Sequence, residues 1–155
     1  MLALAACTTA PTPAPRPAPH AAPPPRPVTV APTVPAIDWR DIPQTPGRWG
    51  YSRDAARTAA TFTETGGVAD FVLHCNLAQR TVTLTRPGAT GAVTLTTSYA
   101  PMTWPSWPVT LAATDPFLDK IVFTRGRFTV ESAGTTRLVL PAWAEPARVV
   151  EDCRG

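Results

Sequence analysis

The sequence predicts a mainly β fold, a small antiparallel β-sandwich or strongly twisted sheet with two short helices, preceded by a disordered Pro-rich tether. Three observations carry that prediction. Eleven of the 20 prolines lie between Pro11 and Pro35, in a stretch with no aromatic residue and too little apolar bulk to offset the entropy of ordering it. Beyond Ile37 short runs alternate apolar residues with threonine, the period-two pattern of half-buried strands. Turn residues at Thr65-Gly66-Gly67, Pro87-Gly88 and Ala133-Gly134 punctuate those runs. The chain divides accordingly into residues 1–7, a tether over 8–37 and a β-rich domain over 38–155.

The opening segment ends in Leu4-Ala5-Ala6-Cys7, which resembles the lipobox of bacterial lipoproteins, where a leader is cut before a cysteine that receives lipid. The six residues before Cys7 are shorter than the ~7–15 apolar positions of a signal peptide, so the true start is expected upstream. The resemblance implies acylation of Cys7, and more than one acyl chain suffices for stable anchoring. By similarity to Gram-negative lipoproteins, Thr8 after the cysteine favours the periplasmic face of the outer membrane. The tether, extended at ~3.1 Å per residue, reaches about 90 Å at most and reads as a spacer through the envelope. Pro24-Pro25-Arg26-Pro27 also allows a docking site for a Pro-binding domain.

Within the domain, Phe71, Leu73, Cys75 and Leu77 share one strand face, with Asp70, Val72, His74 and Asn76 on the other. Val82/Leu84, Val93/Leu95 and Phe128/Val130 repeat the pattern, and threonine takes the outer positions, as suits a pleated, half-exposed surface. Leu77-Ala78-Gln79-Arg80 makes a tight link between two strands. Asp115-Pro116 is an N-cap followed by proline at the first helical position, and Phe117, Leu118, Ile121 and Val122 form the apolar stripe. A second helix is expected over Glu145–Asp152, opened by Pro146, with Val149 and Val150 facing inward. Six to eight strands are expected in all.

In an exported chain Cys75 and Cys153 are expected to join, closing a loop of about 78 residues that contributes roughly 4.5 kcal/mol in the chain-entropy model. The alternative is a buried free thiol at Cys75 and an exposed one at Cys153. The formal charge of +3 comes from Arg16 and Arg26 in the tether and a small excess in the domain, without a basic run, which argues against nucleic acid. His74 is the domain's one histidine, so no multi-histidine metal site can form. It reads as a surface or hydrogen-bonded side chain more readily than as a general base. No catalytic residue, metal or small-molecule cofactor is assigned.

Two features suggest a binding surface. Trp104-Pro-Ser-Trp107-Pro108 holds two aromatics where prolines oppose strand pairing, so either ring can stand exposed, or both can cap the core. Arg125 and Arg127 flank Gly126 at a helix-to-strand junction, where they can meet an anion or pair with nearby acids.

Phe123-Thr-Arg-Gly-Arg-Phe128-Thr-Val-Glu131, with Leu138-Val-Leu-Pro141-Ala-Trp143 and Arg148-Val-Val-Glu-Asp-Cys153-Arg154, resembles a group of small proteobacterial envelope proteins. More distantly, a strand cysteine, a late Phe-rich strand and a C-terminal cysteine are similar to the invasion-associated locus B proteins, which are exported β-sandwiches. That resemblance spans residues 39–154 and implies no enzyme activity. The expectation is a non-enzymatic envelope lipoprotein that binds a protein or peptidoglycan partner. A competing expectation is an exported inhibitor of proteases or lysozyme, and a third is a hydrolase using His74.

Overall fold

The computed structural model describes residues 38–155; Cys7 and the tether lie outside the described residues. The domain is mainly β, built from two antiparallel sheets and two helices. The first sheet holds β1 (Gly47–Arg53), β2 (Arg57–Glu64), β3 (Ala69–Asn76), β4 (Thr81–Thr85) and β7 (Val109–Ala112), hydrogen-bonded in the order β1-β2-β3-β4-β7. The second holds β5 (Val93–Thr96), β6 (Pro101–Trp104), β8 (Arg127–Ser132) and β9 (Leu138–Pro141), in the order β6-β5-β8-β9.

The alternation in the sequence sets which face is buried. Phe71, Leu73 and Cys75 of β3 stand beside Phe62 and Ala60 of β2 and Val82 and Leu84 of β4, all fully buried. Phe128, Val130, Val93 and Leu95 supply the facing layer. Aromatic edges pack within and between the layers: Phe71 meets Phe128 of the facing sheet at 6.1 Å between ring centroids, and Trp49 meets its sheet neighbour Phe62 at 5.5 Å. Edge-on pairs of this kind add about 0.5–1.5 kcal/mol each to the burial of their area. Trp49 also donates its indole N–H to the Pro141 carbonyl at 2.9 Å, tying β1 to the end of β9.

Helix α1 (Pro116–Val122) begins as its residues dictate, with the Asp115 carboxylate accepting from the Phe117 N–H at 2.8 Å and Pro116 inside the first turn. It buries Phe117, Leu118 and Ile121. Helix α2 (Ala144–Arg154) starts one residue before the expected Glu145 and runs past Asp152, so Cys153 is helical and does not follow the helix. Pro146 fits within the first turn because the N–H groups there have no intrahelical partner to lose. Its buried side is Pro146, Val149, Val150 and Cys153.

There are nine strands among the described residues where six to eight were expected. The two least legible, β1 and β6, lie at sheet edges. β1 has a single buried side chain, Trp49, so its apolar alternation is faint. In β6 proline occupies the first position, which an edge strand tolerates, and Trp104 pairs with Val93 despite the prolines that follow it. Leu77 is not part of β3, which ends at Asn76; it sits half-buried in the turn against the core.

Candidate binding cleft between an edge strand and the stapled helix

The inner face of the first sheet is too long for the second sheet to cover. Its far end, around Thr58, Cys75 and Val82, is covered by α2, and the Cys75–Cys153 disulfide fixes the helix there with Cα atoms 5.6 Å apart. An isolated helix of this length is marginal in water. Its position therefore depends on the cross-link, on its buried valines and on a few polar ties. The Tyr51 hydroxyl and Arg53 Nη1 both donate to the Asp152 carboxylate, the second at 2.9 Å. Arg80 Nε reaches the Cys153 carbonyl at 3.3 Å, and Arg154 pairs with Asp119 of α1 at 2.8 Å.

Between the flank of α2 and β1 lies a cleft of about 590 Å³, walled by Trp49, Gly50 and Tyr51 on one side and by Glu145, Arg148 and Glu151 on the other. The Arg148 guanidinium lies 4.3 Å above the Tyr51 ring, a cation–π contact. Asp152 is engaged by Tyr51 and Arg53, whereas the Glu145 Oε2 atom is buried with no hydrogen-bond partner among the described residues.

Beside the cleft, β1 carries a free backbone edge. The Asp54 N–H donates to the Arg57 carbonyl and the Thr65 N–H to the Pro46 carbonyl, and these two bonds bracket the β1–β2 ladder in its observed register. Antiparallel pairing alternates, so Arg48, Gly50 and Ser52 direct their backbone groups at β2, and Trp49, Tyr51 and Arg53 direct theirs outward. Among the described residues nothing pairs with that outward row. The other edges are protected. β6 begins with Pro101 and is followed by Pro105, β7 is four residues long and follows Pro108, and β9 ends at Pro141 with Val139 bonded to Thr45 in both directions. Short strands, prolines and covered backbone protect those edges; the seven-residue β1 has none of them and carries only the charges of Arg48 and Arg53.

The residues singled out in the sequence fall elsewhere. Cys75 and Cys153 are joined as expected. Trp104 and Trp107 are both half-buried against the core: Trp104 meets Phe117 edge-on at 5.0 Å, and Trp107 meets Phe71 at 6.1 Å while donating its indole N–H to Ser132. Arg127 donates to the Ile42 carbonyl at 2.6 Å, fastening the N-terminal segment of the domain, while Arg125 is exposed and its backbone N–H bonds Ser98. His74 stands on the outer face between Ala59 and Thr83, where partial burial and then the Arg57 charge hold its pKa below the ordinary value. Of its neighbours, Arg57 is bonded to Asp54 and the Thr83 hydroxyl to that of Thr110. No cluster of three or more His, Cys, Asp or Glu among the described residues can hold a metal ion.

The cleft was not visible in the sequence, because it joins β1 to a helix about a hundred residues later. The only trace was the alternation of Trp49 and Tyr51 in a glycine-rich run. Comparison with family models, curated proteins and solved structures gives no match.

Proposed function

We propose that this protein is an exported, non-enzymatic binding lipoprotein of a bacterial cell envelope, anchored by acyl groups on Cys7, whose folded domain holds a protein partner in the cleft between β1 and α2. The observation that carries the reading is the Cys75–Cys153 bond. Disulfides persist in oxidising compartments such as the periplasm, and this one holds in place the helix that forms one wall of the cleft. The same reading moves the contact surface from Trp104 and Trp107, whose rings are engaged in packing, to the β1 side of the domain.

A photoreactive residue in place of Ala147, in the cleft wall, tests the reading in cells carrying the full chain. A discrete covalent adduct with an envelope protein is expected. An adduct from a control position on the outer face, such as Thr83, with none from the cleft, would contradict it. Intact-mass analysis of the protein from its native membrane is expected to show acylation at Cys7, and an unmodified Cys7 would contradict the anchoring.

A further inference from the structure

We propose that the cleft receives an extended segment of the partner polypeptide as an added strand on β1, with a lysine or arginine of that segment bound to Glu145. The proposal rests on the binding-domain reading and gives it a chemistry.

The backbone supplies the first half of the recognition. Trp49, Tyr51 and Arg53 present N–H and C=O groups outward in a row with no proline and no pairing strand. An extended peptide satisfies such a row by main-chain hydrogen bonds whatever its sequence. A strand added there continues the pleat of the sheet, so alternate side chains of the incoming segment project to the same side as Trp49 and Tyr51. On that side they enter the cleft and meet the flank of α2.

The helix flank supplies the second half. Asp152 is already bound by Tyr51 and Arg53, and Arg148 is stacked on the Tyr51 ring. The remaining charged groups on the cleft wall are Glu145 and Glu151, which appear in no ion pair among the described residues. Glu145 is half-buried at the start of α2, where a carboxylate is screened less than on an open surface. A cationic side chain entering the cleft pairs with these carboxylates through a charge-assisted hydrogen bond, while an incoming carboxylate would be repelled. An incoming apolar side chain would desolvate them without offering a partner. The cleft thus selects for a basic residue at an alternate position of a β-forming segment.

The test uses the oxidised full chain and a displayed library of short unconstrained peptides long enough to span β1. Selected peptides are expected to lack internal proline, to alternate β-branched or aromatic residues and to share one Lys or Arg. Binding a selected peptide should slow amide exchange at Trp49, Tyr51 and Arg53 and leave Gly50 and Ser52, already bonded to β2, unchanged. Glu145→Gln, which keeps size and fold, should weaken binding about ten-fold or more, and selection on Glu145→Lys should turn the shared basic residue into an acidic one. Failure to select any peptide would overturn strand addition, as would binders that leave the three outward amides exchanging freely or are indifferent to Glu145→Gln. If the Ala147 position still yields a cellular adduct in that case, the binding-domain reading stands without strand addition; loss of the adduct as well removes both.

Discussion

The two ends of the first sheet's inner face are held by different physics. At one end the second sheet lies over Phe62, Phe71 and Leu84, and contact is made chiefly by interlocked aromatic rings, with the Trp49–Pro141 and Arg86–Thr135 hydrogen bonds beside them. At the other a short helix is held by one covalent bond, two valines and a handful of hydrogen bonds to Asp152, Cys153 and Arg154. At the aromatic end Phe62, Phe71, Leu84 and Phe128 are fully buried. The stapled end leaves a cleft and a free strand edge. Binding surfaces tend to come from the less tightly packed parts of a fold, and here the disulfide permits a cleft without loss of the helix that borders it.

Replacing both Cys75 and Cys153 with alanine should have the largest effect, lowering stability by about 4.5 kcal/mol for a closed loop of this length, as measured by urea unfolding. The loss should be uneven, with α2 released before the sheets. Phe128→Ala should cost about 3–5 kcal/mol through the cavity left at the centre of the aromatic end. It should lower the stability of both ends together, because the two sheets lose their common contact. If the cysteine variant instead melted in one transition that coincides with the loss of the sheets, the division between the ends would fail.

Asp152→Ala should cost about 1–2 kcal/mol, since it removes the acceptor for both Tyr51 and Arg53, and one of those groups is partly exposed. Its effect should appear chiefly in amide exchange of α2, with the Phe128 region unchanged. Asp115→Ala, which removes the cap of α1, should cost about 1 kcal/mol by the same unfolding measurement.

The smallest effect belongs to His74. Burial, and then the Arg57 charge, hold its folded pKa below the ordinary imidazole value of 6.5, so around that pH the unfolded chain takes up a proton more readily than the folded one. Stability should therefore decline modestly as pH falls through the ordinary imidazole range towards the lower folded value. His74→Gln should flatten that part of the pH profile, and an unchanged slope would assign it to other groups.

Much of the fold is legible in the sequence because each signal is local. The alternation of Phe71, Leu73 and Cys75 fixes which face of β3 is buried, and Asp115-Pro116 fixes the start of α1. The cysteine pairing was legible as well, once Cys75 was placed on an inward face and export was assumed. β1 was not, because an edge strand with one buried residue carries almost no periodic signal. The fate of Trp104 and Trp107 was open for a similar reason. Prolines mark where pairing is hindered, but whether a ring turns onto Phe117 or Phe71 depends on residues distant in the chain. The cleft is a tertiary product of Tyr51, Glu145 and Asp152, and no local pattern encodes their meeting.

Amide hydrogen exchange of the full chain, compared with the disulfide intact and reduced, tests the distinction between the two ends most directly. Reduction should bring the amides of Val149, Val150 and Cys153 to rapid exchange while those of Leu73 and Phe128 remain slow. Helix amides that stay as protected as the strand amides after reduction would show that packing alone holds α2, and would contradict the role given to the Cys75–Cys153 bond.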